Sequence, residues 1–236
     1  MHEQDSRALV VEEQADVREL LVEALGQAGF SVQATPSGRT GLELARKFSP
    51  DLVTLNMGLP DVDGVELCRE LRAHSDAYVI MLSSRSEDIG RLADEEIGVD
   101  DYLTTPFSMP ELRARATAIL RRQRRVQQPP PPAEPTAVRQ LGALEVDLET
   151  RVATLAEREL DLTRTEFDLL ATLLSNPRRV WSRDALLREV WSTEWVGDGH
   201  LVEVHLGNLR RKLGDDSRSG RWIRTVRGVG YRLGTG

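Results

Sequence analysis

The sequence predicts an α/β fold, a doubly wound sheet of five parallel strands, followed by a smaller α+β unit in which strands flank helices. Three observations predict it. Short apolar runs alternate five times with helix-period stretches over residues 1–122, a proline run interrupts the chain near residue 130, and the hydrophobic period then changes. At 236 residues, 40% of them hydrophobic, the chain is long enough for two domains that each bury a core.

The elements of the first unit follow in order. ALVV leads to ADVRELLVEALGQAG, SVQA to SGRTGLELARKF, DLVTL to GVELCRELRAH, YVIML to a helix from Glu87 to Ile97, and DYL to PELRARATAILRR. Parallel strands need crossover helices of one hand, so five such pairs wind into one sheet, with its functional crevice beyond the carboxyl ends of the strands. The segment RRQRRVQQPPPPAEPTAV (121–138) passes from a basic helix end into prolines, which favour an extended chain, and a linker is expected over 123–137. From 138 to 236 the order is LEVDL, RVATL and LDL as strands, helical stretches over 163–175, 182–191 and 199–213, and a hairpin-like WIRTVRGVGYRL. That is the order of a winged helix-turn-helix. Thr163 and Glu166 are spaced as a capping box, and Asn176-Pro177 ends that helix.

A net charge of −7 speaks against a nucleic-acid partner only as an average. Residues 1–122 carry 13 basic and 22 acidic side chains, net −9, whereas residues 123–236 carry 18 and 16, net +2. Twelve of those 18 basic residues lie between Arg178 and Arg232, so the acidic half masks a basic surface suited to a polyanion. No apolar run approaches the ~20 residues that span a bilayer, and MHEQDSR lacks the apolar core of a signal peptide. A cytoplasmic protein is expected. Cys68, the single cysteine, has no internal partner and falls in a helical pattern as a packing residue.

The strand ends carry the chemistry. Glu12 and Glu13 follow the first strand, Asn56 the third, Ser83 the fourth and Thr105 the fifth, so all five meet at one crevice. VVEE, DLVTLNMGLPDVDG, IMLSSR and GVDDYLTTPF resemble the receiver domain of OmpR/PhoB-family response regulators, and the resemblance covers essentially the whole chain. It implies a site where an acidic pair and an aspartate hold Mg²⁺, the aspartate takes a phosphoryl group, a hydroxyl bonds its oxygens and a lysine neutralises them. Here the pair (Glu12, Glu13) and the hydroxyl (Ser83) are present, but Asn56 stands at the nucleophile position and Thr105 at the lysine position. An amide oxygen is neutral and a poor nucleophile, and threonine has no cation. The expectation is therefore a degenerate pocket with no catalytic residue, no cofactor and at most weak Mg²⁺ binding at Glu12 and Glu13. Two alternatives stay open: an engineered Asn56 in a conventional phosphorylation-activated regulator, and a receiver that senses a small-molecule ligand.

The resemblance further implies a homodimer through a face built from the fourth helix, fifth strand and fifth helix. Arg91, Asp100, Asp101, Glu111, Arg115 and Arg122 stand where that face has its salt-bridge network, and Tyr102 where it has a switch aromatic. Glu95 and Arg113 replace residues of its apolar patch.

DGHLVEVHLGNLRRKLGDD resembles the family's recognition helix and TVRGVGYR its wing. Val202, Leu206, Leu209 and Leu213 recur at four, three and four and are assigned to the core, leaving His200, Val204, Gly207, Asn208 and Arg211 toward the major groove. Asn208 could read adenine and Val204 a thymine methyl. Arg210 and Arg211 close the helix; Arg227 is placed as a minor-groove arginine, with Thr225 and Tyr231 beside it. Arg183 and Trp191 are assigned to phosphate and sugar, Trp191 equally to the core. The resemblance places Trp195, in the loop from Ser192 to Asp198, as a candidate contact to RNA polymerase. The sequence thus reads as a transcription regulator rather than an enzyme, binding tandem half-sites on double-stranded DNA as a dimer without passing through an aspartyl phosphate.

Overall fold

A computed structural model divides the chain into two compact units, residues 1–123 and 124–236. The structure describes residues 6–84, 97–127, 138–191, 200–215 and 220–236, without the side chains of 121–127 and His200.

The first unit runs β1 (Arg7–Val11), α1 (Ala15–Gln27), β2 (Ser31–Thr35), α2 (Gly38–Phe48), β3 (Leu52–Asn56), α3 (Gly64–Arg72), β4 (Tyr78–Ser83), β5 (Asp101–Thr104) and α4 (Met109–Gln127). The helix expected from Glu87 falls outside the described residues, apart from its last residue, Ile97, which is buried. All strand pairs are parallel and the order is β2-β1-β3-β4-β5, as the five strand–helix pairs predict. Strand side chains alternate between faces. Ala8, Val10, Leu52, Ile80, Leu82 and Leu103 pack with Leu21 and Leu25 of α1 and Leu112, Ala116 and Ile119 of α4. Their neighbours Leu9, Val53, Val79 and Met81 are buried on the opposite side, where α2 and α3 lie. Because both faces are covered, the central strands are mostly apolar rather than alternating, with the buried Thr54 of β3 an exception.

Local chemistry starts the helices where the sequence turns polar. Ser37 caps α2 by accepting from the Thr40 N–H, and Asp63 caps α3 by accepting from Val65 and Glu66. Asp61, in the loop before α3, accepts from Gly38 N at 2.9 Å, Arg39 N at 3.1 Å and Ser37 Oγ at 2.8 Å, which pins that loop to the start of α2. Cys68 is packed in α3, and burial pushes its thiol up to about 12, so it is an inert packing residue.

The second unit runs β6 (Val138–Leu141), β7 (Leu144–Asp147), β8 (Val152–Leu155), β9 (Arg158–Glu159), α5 (Arg164–Ser175), α6 (Arg183–Trp191), α7 (His200–Lys212), β10 (Ile223–Val226) and β11 (Gly230–Leu233). Two expectations need correction. The sheet gains a strand, β6, that sequence patterning missed because VRQL is half polar and abuts the prolines. LDL is no strand: β9 ends at Glu159, and only the Leu160 N–H reaches back to the Ala153 carbonyl, at 2.8 Å. The Thr163/Glu166 capping box forms as expected. At the ribbon between β10 and β11, Gly228 has φ 72°, and a Cβ on Gly230 would lie 2.0 Å from the Trp181 carbonyl oxygen. The Trp181–Tyr231 bridge that draws β11 onto the chain before α6 thus requires a glycine there.

Candidate functional site

The crevice of the first unit lies at the carboxyl ends of β1, β3, β4 and β5, which the sheet order makes neighbours. Glu12 is buried directly after β1, Asn56 closes β3 and Ser83 closes β4. Asn56 Nδ2 donates to Glu12 Oε1 at 3.0 Å and Oε2 at 2.9 Å, while Asn56 Oδ1 accepts from Gly58 N at 2.9 Å. The reverse amide orientation would set an oxygen against two carboxylate oxygens, so the carboxylate itself selects this one. Glu12 accepts a third bond from Gln14 N at 2.9 Å. Glu13 is exposed, and its carbonyl accepts from Arg18. Thr105 is also exposed, with its Oγ1 3.4 Å from the Ser83 carbonyl.

A divalent cation, which the receiver resemblance implies, does not fit this donor set. The two Glu12 oxygens are already engaged by an amide N–H₂ and a backbone N–H, and Asn56 adds no anionic ligand. Among the described residues no group of three or more His, Cys, Asp or Glu could hold a metal.

At the amino end of β5, away from the crevice, Asp100 and Asp101 are adjacent residues sent to opposite sides by the strand alternation. Asp100 is fully buried and accepts from Arg72 Nη2 and from Val79 N, and Arg72 also donates to the Gly98 and Ala77 carbonyls. Asp101 accepts from Arg115, which donates to Glu111 at 2.7 Å and to the Tyr102 carbonyl at 3.3 Å. Four residues expected in the dimer-face network, Asp100, Asp101, Glu111 and Arg115, are thus engaged within one chain. Asp100 belongs to a brace onto α3, Arg115 is only 6% exposed, and Tyr102 is buried, because an arginine from the same chain reaches each aspartate. Arg113 turns instead to Gln27 of α1, at 2.6 Å. Arg91, Glu95 and the side chain of Arg122 fall outside the described residues.

In the second unit Val202, Leu206, Leu209 and Leu213 are buried as their spacing requires. The opposite face differs from expectation. Val204 and Asn208 are buried as well, so neither projects freely, because α7 is covered on more than one side: Leu201 and His205 are also internal. Asn208 Oδ1 accepts from Arg211 Nη2, which makes it a brace for an exposed guanidinium rather than a free amide. Arg210 donates to the Ile223 carbonyl at 3.1 Å and to Thr225 Oγ1 at 2.8 Å, tying helix to ribbon. Trp191 takes the core role of its two alternatives, its ring centroid 5.5 Å from that of His205. Tyr231 is buried too, with Arg183 and Arg210 each 5.9 Å from its ring. Gly207 is half-buried, with no atom within 4 Å of where a Cβ would sit. Arg183, Thr225 and Arg227 are exposed. The His200 side chain and Trp195 fall outside the described residues.

Sequence reasoning passed over four further exposed charges here. Glu203 lies in the first turn of α7 and pairs with Arg183. Arg178 and Arg179 precede α6, with Arg179 3.8 Å from the Trp181 ring, and Arg224 lies on the ribbon. The clustering of arginine after residue 178 was the available signal for three of them.

Fold and sites together define a DNA-binding response regulator: the chain belongs to the OmpR/PhoB family of transcription regulators. Residues 8–117 match the response regulator receiver domain, and residues 157–233 match the C-terminal domain of transcriptional regulatory proteins. The chain is 41% identical over 239 residues to the alkaline phosphatase synthesis transcriptional regulatory protein SphR of Synechococcus elongatus, covering 97% of this chain and 91% of that protein. It is 42% identical over 233 residues to the transcriptional regulatory protein CseB of Streptomyces coelicolor, covering 97% of each. Among solved structures it resembles a cysteine-to-aspartate mutant of RitR, with TM-score 0.72 and 28% identity over 98% of this chain and 100% of that one. It also resembles DrrB, a Thermotoga maritima OmpR/PhoB homologue, with TM-score 0.50 and 28% identity over 97% and 99%. Among the described residues no helix is long and apolar enough to cross a membrane.

Proposed function

We propose that this protein regulates transcription as a dimer on tandem DNA half-sites, and that its receiver works without an aspartyl phosphate. The observation that carries this reading is the Asn56–Glu12 pair. In a phosphorylated receiver the acidic crevice needs a cation to hold its carboxylates and the incoming phosphoryl group together. Here one neutral amide donates to both oxygens of Glu12, a charge-assisted arrangement that satisfies the buried carboxylate without metal. Thr105 supplies a hydroxyl turned toward a carbonyl where a phosphoryl group would require a cation. The amide oxygen engaged by Gly58 N is neither charged nor free to attack phosphorus.

Dimerisation would draw on the face around β5. Arg115, Asp101 and Glu111 already pair within one chain, with Arg115 and Asp101 buried, so a partner gains only by exchanging equivalent ion pairs, which adds little net free energy. The dimer should accordingly be weak alone and assemble on DNA, where adjacent half-sites raise the effective concentration of the second copy.

The test is incubation of the full chain with acetyl phosphate and Mg²⁺, followed by intact mass and DNA titration. No phosphate adduct and unchanged affinity are expected. Stoichiometric incorporation would sink the reading. Asn56→Asp with Thr105→Lys should regain more phosphate-dependent switching than Asn56→Asp alone, and equal recovery would remove Thr105 from the argument.

A further inference from the structure

The exposed stripe of α7 keeps Gly207 and Arg211 of the face that periodicity suggests but replaces Val204 and Asn208 by Glu203. Glu203, Gly207 and Arg211 recur at every fourth residue, so they lie on one helix face, and Glu203 and Arg211 are exposed while Val204 and Asn208 are buried. The stripe reads acid, bare backbone, base. Gly207 leaves its centre open, with nothing within 4 Å of a Cβ position, and Asn208 steadies Arg211 from the side.

A carboxylate on the face that approaches a polyanion lowers affinity unless it finds a donor there. In the free protein that donor is Arg183, the first residue of α6, which pairs with Glu203 although both side chains are largely exposed, at 53% and 40%. Arg183 also lies over the Tyr231 ring, so one guanidinium links α6, α7 and the ribbon. In the major groove the only base donors are the cytosine and adenine amino groups. Adenine sets its donor beside the N7 acceptor, which repels a second carboxylate oxygen. Cytosine presents a donor alone, which suits a group that only accepts. Glu203 stands in the first turn of α7, the part of such a helix that meets base edges.

We propose that Glu203 reads a cytosine amino group, held in position by Arg183, while Gly207 lets the α7 backbone approach the groove. This rests on the reading of α7 as the groove-entering helix. Arg183, already positioned beside the acid, then contributes a phosphate contact that is indifferent to sequence.

The experiment is selection of bound duplexes from a randomised library by the full chain and by its Glu203→Ala, Glu203→Gln and Arg183→Ala variants, with titrations of the selected site at several salt concentrations. The parent protein should favour one C·G pair about tenfold over the alternatives. Glu203→Ala should lose that preference and keep the others. Glu203→Gln should shift it toward adenine, since an amide matches the adenine donor–acceptor pair. Arg183→Ala should weaken binding to all sequences alike and flatten the salt slope. If both Glu203 variants retain the parent preference at every position, or change binding equally for all sequences, Glu203 is only a clamp for Arg183 and the proposal falls. A parent chain that enriches no sequence at all would instead overturn the assignment of α7 beneath it.

Discussion

The interior of the receiver and the outer face of the DNA-binding unit use the same kinds of residue in opposite ways. In the receiver, buried carboxylates are closed on donors of the same chain: Glu12 on the neutral Asn56 amide, Asp100 on Arg72, Asp101 on Arg115. In the second unit Arg178, Arg179, Arg224 and Arg227 are exposed. A buried ion needs a partner inside the fold, so its partner is structural; an exposed guanidinium is solvated and needs none there. The difference teaches where each charge should register when removed. Receiver pairs should register in stability and the arginines of the second unit in binding.

The sharpest break is Arg115→Ala. It leaves Asp101 buried without its guanidinium, and truncating one partner of a buried pair costs about 3–5 kcal/mol. Urea unfolding of the receiver should shift by that order. A change below about 1 kcal/mol would mean that water or a neighbour replaces the arginine, and the contrast between the two units would weaken. Arg227→Ala is the counterpart. Its effect on unfolding should stay within about 0.5 kcal/mol. Its salt slope for DNA binding should flatten by about one unit, because one positive charge is lost against the negative potential of the duplex, with equal weakening on all sequences. Stability loss without a change in slope would place Arg227 in the fold instead of on the DNA.

How much was legible follows the same division. The sheet order and the convergence of Glu12, Asn56, Ser83 and Thr105 follow from strand direction alone, which is why single residues at strand ends could be placed from the sequence. What strand ends do not reveal is pairing: that Asn56 would turn its amide to Glu12, or that Arg72, 28 residues away, would take Asp100. On α7 the spacing of Val202, Leu206, Leu209 and Leu213 located the core correctly, but it assumed one buried side. The helix is covered on a broader arc that takes in Leu201, Val204, His205 and Asn208, so the exposed stripe shifts to Glu203, Gly207 and Arg211. Periodicity measures where apolar residues recur and is blind to a polar residue such as Asn208 that is buried with them and bonds an exposed neighbour.

The smallest expected effect belongs to Asp61, a charge between the two extremes, partly exposed yet fully engaged. The Gly38 N–H, the Arg39 N–H and the Ser37 hydroxyl, in that order of importance, lower its carboxyl from 3.8 to about 2. A carboxyl whose folded value lies below its unfolded one stabilises the native state fully above the unfolded value, and that contribution disappears as pH falls through about 2. Asp61→Asn removes the charge at every pH while keeping one acceptor oxygen. The variant should therefore be slightly less stable than the parent at pH 7, and the gap should narrow once the pH drops below about 4. Urea midpoints of the two proteins at about pH 7 and about pH 3 supply the measurement, and taking their difference cancels the titration of every other carboxylate. A gap that stays constant between the two pH values would show that the oxygen, not the charge, holds the loop to α2. The charge at the start of that helix would then count for no more than an exposed arginine of the second unit counts toward its fold.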